Sequence, residues 1–255
     1  MKNGFYKSFL FISICGFSFI PVPKKHIKVW MIGDSTMCTY EPSRAPLTGW
    51  GMPFAIFFDS SVTIDNKARG GRSTRTFISE NRWQPISDSL QEDDYVLIQF
   101  GHNDEAKEER YKDRYTSPAD YRKNLTRFVV EIKIKKAIPV LITPVSRRYF
   151  DKEGNIKETH KEYSAIVREV ANEQHVPVID LDNMTRKLFQ QLGAENSKLL
   201  FNYSLPGEHP NYPEGIKDDT HFNEFGARRI AQLVLAEMKA QHLELTERIV
   251  VPKAK

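Results

Sequence analysis

Five short apolar runs punctuate the chain: "IKVWMIG" (27–33), "VTIDN" (62–66), "YVLIQF" (95–100), "IPVLIT" (138–143) and "VPVIDL" (176–181). They are rich in β-branched residues, and most are apolar at both alternating positions. Strands of a parallel sheet, covered on both faces, read this way. Between the runs the apolar spacing switches to the helical period. In "SPADYRKNLTRFVVEIKIKK" (117–136), Leu125, Phe128, Val129 and Ile132 recur at helical spacing behind a Ser-Pro start. The segments "HKEYSAIVREVANEQH" (160–175) and "FNEFGARRIAQLVLAEMKAQ" (222–241) repeat the pattern. Strand and helix alternate, which predicts a doubly wound α/β sandwich around five parallel strands. The polar stretches 104–117 and 193–217 are predicted as loops.

No internal repeat or linker marks a second domain, and one domain over 27–245 suits a chain of 255 residues. The first residues stand apart. Lys2 and Lys7 precede or enter an apolar stretch, "SFLFISICGFSFI", closed by Pro21. This has the charge order of a secretory signal and is short for a bilayer span. A signal segment over 1–22 and a secreted or periplasmic protein are therefore expected, with no membrane span after cleavage. Cys15 lies where a lipid could be attached, although Ile14 stands where a small residue is usual. With that segment gone, Cys38 is the only cysteine and no intrachain disulfide can form. Close to Ser35, Cys38 reads as a small buried hydrophobe before it reads as a nucleophile.

Composition narrows the class. Hydrophobic residues make up 40% and charged residues 27%, which excludes a disordered chain. The net charge of +4 is mild. It permits an acidic ligand without demanding nucleic acid.

Open parallel sheets bind ligands beyond the carboxyl ends of their strands, where strand order reverses. The residues after each strand are therefore the candidate chemistry: Gly33-Asp34-Ser35-Thr36 after the first, "NKARGGRSTRT" after the second, "GHNDE" after the third, "TPVSRR" after the fourth, and "KDDTHFNEFG" before the last helix. A serine nucleophile needs a base, an orienter for the base and donors for an oxyanion. Asp218, three residues before His221, reaches the imidazole if the segment is a turn or helix start, with Asp219 as a competing orienter. Asn103 has an amide that can serve as a donor. Gly70 and Gly71 let a backbone N–H approach a ligand without a Cβ in the way.

This order of motifs resembles the SGNH, or GDSL, hydrolase family, over about residues 27–242. The resemblance implies a flavodoxin-like three-layer sandwich. It also implies Ser35 as nucleophile, His221 as base, Asp218 as orienter, and the Ser35 N–H, the Gly71 N–H and the Asn103 amide as oxyanion donors, with Gly70 the alternative to Gly71. Gly-Asp-Ser-Thr stands where many members carry Gly-Asp-Ser-Leu. With "NKARGGRSTRTFI", "TGWG" (48–51) and "TPVSRRYFD" (143–151), it is similar to the rhamnogalacturonan acetylesterase branch, which deacetylates pectin backbones. An acetylated polysaccharide or oligosaccharide, acidic in character, is the expected partner. Arg72 and Arg147 are the candidate binding residues, with Arg75 and Arg148 near them and Trp50 and Trp83 as possible sugar platforms. No cofactor and no metal are expected, since His102, His160 and His209 lack ligand spacing. A xylan or other hemicellulose acetylesterase, a general GDSL lipase or esterase, and a non-catalytic carbohydrate-binding protein on the same scaffold remain open alternatives.

Overall fold

The computed structural model describes residues 24–251. The expected signal segment, with Cys15, lies outside the described residues. The five strands fall where the sequence places them: β1 (Ile27–Gly33), β2 (Val62–Asn66), β3 (Tyr95–Gln99), β4 (Ile138–Ile142) and β5 (Val178–Ile179). They form one all-parallel sheet in the order β2-β1-β3-β4-β5. That is the flavodoxin-like order, and it reverses between β1 and β3.

The double apolar coverage of these strands follows from what flanks them. Val29 and Met31 of β1 point into one core, and Trp30 and Ile32 into the other. The second core is filled by α1 (Thr74–Ser79), α2 (Gln84–Ser89), α3 (Pro118–Ile134) and α4 (Lys161–Gln174). The first is filled by α5 (Leu181–Asn196) and α6 (Glu224–Ala240). Their side chains make three layers, helix on sheet on helix. No helix among the described residues is long and apolar enough to cross a membrane.

Two expectations are corrected here. The run 176–181 gives only a two-residue strand, because the Asp180 carboxylate accepts the Asn183 N–H and caps α5 at once. The stretch 193–217 is not one loop. It holds the end of α5, a 3₁₀ turn, β6 (Phe201–Ser204) and the start of β7 (Ile216–Phe222), and β6 and β7 pair antiparallel. The other polar stretch, 104–117, is irregular apart from one short 3₁₀ turn over Glu109–Tyr111.

Candidate active site

The Ser35 turn is built on a buried polar chain. Asp34 Oδ1 accepts the Thr36 N–H at 2.9 Å and the Thr36 hydroxyl at 2.8 Å, an Asx turn that lifts Ser35 off the end of β1. Gln99 donates to the same hydroxyl at 2.6 Å and accepts from the Trp50 indole at 2.5 Å. On the other side the Asp34 carboxylate meets His102 Nδ1 at 3.2 Å, and the His102 and His160 rings stand 4.3 Å apart. Gly33 permits this crowding, because a Cβ there would lie 2.5 Å from the Gln99 carbonyl oxygen. Burial pushes His102 down to about 4, helped by the charge of His160. Burial also opposes ionisation of Asp34, but His102 and the Thr36 hydrogen bonds outweigh it and hold the carboxyl below its usual range. A neutral imidazole thus donates to a carboxylate under the serine. Every member of this chain is buried, so it holds the turn in one geometry.

Ser35 Oγ lies 2.9 Å from His221 Nε2, and His221 Nδ1 lies 2.8 Å from Asp218 Oδ2. Asp218 and His221 sit on β7, not in the turn or helix start expected. In an extended strand, residues three apart are too distant to touch. The contact exists because the ladder breaks. Between the pairs Phe201–Phe222 and Tyr203–Lys217, residues 218–221 oppose Asn202 alone. Asp218 Oδ1 closes this bulge by accepting the Thr220 N–H at 2.8 Å and the His221 N–H at 2.9 Å. Burial raises the Asp218 carboxyl, but the hydrogen bond and charge of His221, with those two N–H groups, bring it below its usual value. An ionised Asp218 fixes the proton of His221 on Nδ1 and leaves Nε2 free to accept the Ser35 proton.

The competing readings separate only in part. Asp219 faces away from His221 and holds Arg148, whose Nε donates to it at 2.6 Å. The Gly70 N–H remains a candidate donor, with no hydrogen-bond acceptor among the described residues. Those of Gly71 (φ 78°) and Ser35 meet no acceptor among the described residues. Asn103 donates one amide hydrogen to the Arg72 carbonyl at 3.0 Å, and its Oδ1 accepts from Arg114 at 2.8 Å. Its second amide hydrogen meets no acceptor among the described residues. Burial pushes the Cys38 thiol up to about 11, which leaves no thiolate for attack.

These groups open into a cleft of about 1270 Å³. Arg72 and Arg147 line it, as expected. The Arg72 guanidinium is paired with Glu80 at 3.0 Å, and Arg147 donates to the Thr220 hydroxyl at 2.7 Å. Three other expectations fail. Arg148 turns to the opposite side, 8% exposed, where it bonds Asp219, the Ala194 carbonyl and the Tyr203 hydroxyl. Arg75 bonds the Tyr115 carbonyl outside the cleft. Trp50 and Trp83 are fully buried, with their N–H groups on Gln99 and Glu131, so neither can stack on a sugar. His102 and His160 lie in the polar network below the serine, and His209 pairs with Tyr212 in an exposed turn. The sequence reading missed Arg44, Arg69, Lys107, Arg110, Arg114 and Lys161, all of which line the cleft. The length and charge of stretch 104–117 were the available signal for three of them.

The model of the GDSL-like lipase/acylhydrolase family matches residues 31–229. The chain belongs to this family. It is a carboxylic ester hydrolase by that membership. Among curated proteins it is 42% identical to the rhamnogalacturonan acetylesterase RhgT of Bacillus subtilis, over 91% of this chain and 98% of that one. It is 35% identical to the probable rhamnogalacturonan acetylesterase YesY of the same organism, over 87% of this chain and 97% of that one. Among solved structures, the B. subtilis protein YxiM superposes with a TM-score of 0.73 at 27% identity. That match covers 87% of this chain, which spans 58% of the YxiM structure.

Proposed function

We propose that the chain is a carbohydrate acetylesterase acting on acetylated, uronate-containing pectin of the rhamnogalacturonan type. Ser35 attacks the acetyl carbonyl while His221 Nε2 takes its proton. The tetrahedral oxyanion is held by the N–H groups of Ser35 and Gly71 and by the free amide hydrogen of Asn103. His221 then gives the proton to the departing sugar oxygen, and water, activated by the same imidazole, hydrolyses the acetyl-Ser35 ester. Asp218 holds the imidazole in the tautomer that both steps require.

The observation that carries this reading is the continuous Ser35–His221–Asp218 line opening into a cleft with surplus positive charge. Arg44, Arg69, Arg72, Lys107, Arg110, Arg114, Arg147 and Lys161 line the cleft against Glu41, Glu105, Glu108, Glu158, Glu162 and Asp218, a surplus of two positive charges. Guanidinium and ammonium groups in such a surplus favour a polymer that carries carboxylates. The two B. subtilis relatives named for rhamnogalacturonan acetylesterase activity support the same substrate.

Acetate release from acetylated pectin, acetylated xylan and a neutral aryl acetate tests the reading. Pectin is the expected best substrate. Its advantage over the aryl acetate shrinks as salt rises past about 0.15 M, where charges are screened beyond about 8 Å. Equal salt responses, or faster deacetylation of neutral xylan, would leave the hydrolase mechanism standing and remove the pectin assignment.

A further inference from the structure

Arg114 belongs to the polar stretch 104–117, which the mechanism above does not use. The short 3₁₀ turn at Glu109–Tyr111 is followed by Arg114, whose N–H bonds the Tyr111 carbonyl at 3.0 Å. This sets the guanidinium over the Tyr111 ring, 3.9 Å from its centre. No carboxylate lies within ion-pair distance among the described residues. The guanidinium instead spends a hydrogen bond on a neutral acceptor, Asn103 Oδ1, at 2.8 Å. It also lies over Gly71, where an added Cβ would meet its Nη1 at 3.4 Å.

That contact decides which way the Asn103 amide points. An asparagine side chain can turn its oxygen and nitrogen over at little intrinsic cost. With the oxygen aimed at the substrate, it would repel the oxyanion. Here the two neighbours of the amide are of opposite kinds. The Arg72 carbonyl can only accept, and it takes Nδ2–H at 3.0 Å. The Arg114 guanidinium can only donate, and it faces Oδ1. A flipped amide would set oxygen against carbonyl and hydrogen against guanidinium. A cation on Oδ1 also draws electron density from the amide nitrogen, which makes the remaining N–H a stronger donor.

We infer that Arg114 is a positioning residue of the oxyanion hole, locking and polarising the Asn103 amide so that its free N–H faces the developing charge. The inference rests on the Ser35 hydrolase reading and adds to it a residue from a different loop.

A double-mutant cycle on a neutral aryl acetate tests this. The substrate carries no carboxylate, so loss of a substrate-binding cation does not register. R114M, R114Q, N103A and the two double variants are compared by kcat, KM and thermal melting. N103A is expected to lose roughly a hundredfold in kcat, the scale of one oxyanion donor. R114M is expected to lose on the order of tenfold, as a charge-assisted contact is broken, with KM little changed. R114Q keeps an N–H for Oδ1 and recovers part of that rate. In the N103A background neither Arg114 substitution slows the enzyme further, since no amide remains to be oriented. Running R114Q through the cycle keeps the comparison intact if R114M melts early. An unchanged kcat for R114M, a loss confined to KM, or the same tenfold loss with and without Asn103 would each overturn the inference. N103A as fast as the wild type would overturn it too, while leaving Ser35 as nucleophile. Full activity in S35A is the separate result that would strike the hydrolase reading itself.

Discussion

Asp104→Asn should reshape the dependence of stability on pH. Asp104 ends the Gly101-His102-Asn103-Asp104 loop after β3. It is fully buried, accepts the Thr74 N–H at 2.9 Å and the Thr74 hydroxyl at 2.6 Å, and has no cation beside it. Burial pushes its carboxyl up to about 7 from 3.8, with the charge of Asp34 adding to the shift. A carboxyl raised in the folded state contributes stability that is fully present below 3.8 and is lost as pH rises through about 7. The interval is roughly three units, and at about 1.36 kcal/mol per unit the loss is about 4 kcal/mol. His102 works in the opposite sense. Its folded value of about 4, against 6.5 unfolded, means that acidification through that interval costs stability, by about 3 kcal/mol. In the wild type the two slopes nearly cancel between about pH 4 and 6.5, and stability falls only from there to just above 7. The substituted amide keeps an oxygen for Thr74 and puts its N–H₂ where Asp104 Oδ2 stands, buried without a hydrogen-bond partner among the described residues. The titration at this position is then gone and only the His102 slope remains. The advantage of D104N over the wild type should therefore grow by about 4 kcal/mol between pH 4 and 8, or about 10 °C in Tm for a domain of this size. Urea unfolding of both proteins at four pH values in this range measures it. Parallel stability curves for the two proteins would refute the account of Asp104 as an uncompensated buried carboxyl.

Ser35→Ala should abolish acetate release while leaving the melting temperature within about 2 °C, because the Oγ makes one hydrogen bond and the turn is held by Asp34 and Thr36; substantial residual turnover would remove Ser35 from the nucleophile role. Asp218→Asn presents N–H₂ to His221 Nδ1, drives the proton onto Nε2 and blocks proton uptake from Ser35. The expected loss in kcat is on the order of 10⁴, and a loss below tenfold would show that Asp218 does not set the tautomer. Arg148→Met strands Asp219 and the Ala194 carbonyl. It should cost about 3 kcal/mol in urea unfolding, the lower end for a broken buried pair because Asp219 is partly exposed. No measurable loss would mean that this ion pair is replaced by water.

What could be read from the sequence was what repeats or what stands next to a strand. Both-face apolar runs gave the five strands because each is sandwiched between helices. Ser35, Gly71 and Asn103 follow the first three strands, and the reversal of order between β1 and β3 brings those three strand ends together. The misses have physical causes. The segment "IKDDTHF" reads as polar loop because β7 pairs with β6 and, by a single bridge, with Thr48, outside the five-stranded sheet, and residues 218–221 leave the ladder altogether. Helix α5 had a readable signal in Leu181, Met184, Leu188 and Leu192, obscured by extending the fifth strand through Asp180. Arg147 and Arg148 are adjacent in an extended stretch, so one faces the cleft and the other faces away, and no composition argument separates them. Arg114 was invisible because its value lies in one acceptor, Asn103 Oδ1, which only the folded loop places beside it.

The two halves of the site rest on different supports. Ser35 stands on the buried chain Trp50–Gln99–Thr36–Asp34–His102, which is continuous with the sheet and both cores. His221 stands on a bulge of a two-stranded sheet. It is tied to the strand-four side of the molecule by Arg148, which bonds the Asp219 side chain and, through its own N–H, the Asp219 carbonyl at 2.9 Å. Asp218 points one way to orient the base, and Asp219 points the other to anchor the strand. The Asp-Asp pair is therefore a division of labour, and the 2.9 Å contact between Ser35 and His221 depends on both. The donor side adds a third support, the loop that carries Arg114 over Gly71 and against Asn103. The proposed nucleophile, base and oxyanion donors thus come from segments far apart in sequence, each fixed by buried or charge-assisted hydrogen bonds of its own. Pre-organisation of this kind is what lets such donors act on a transition state without first having to reorganise.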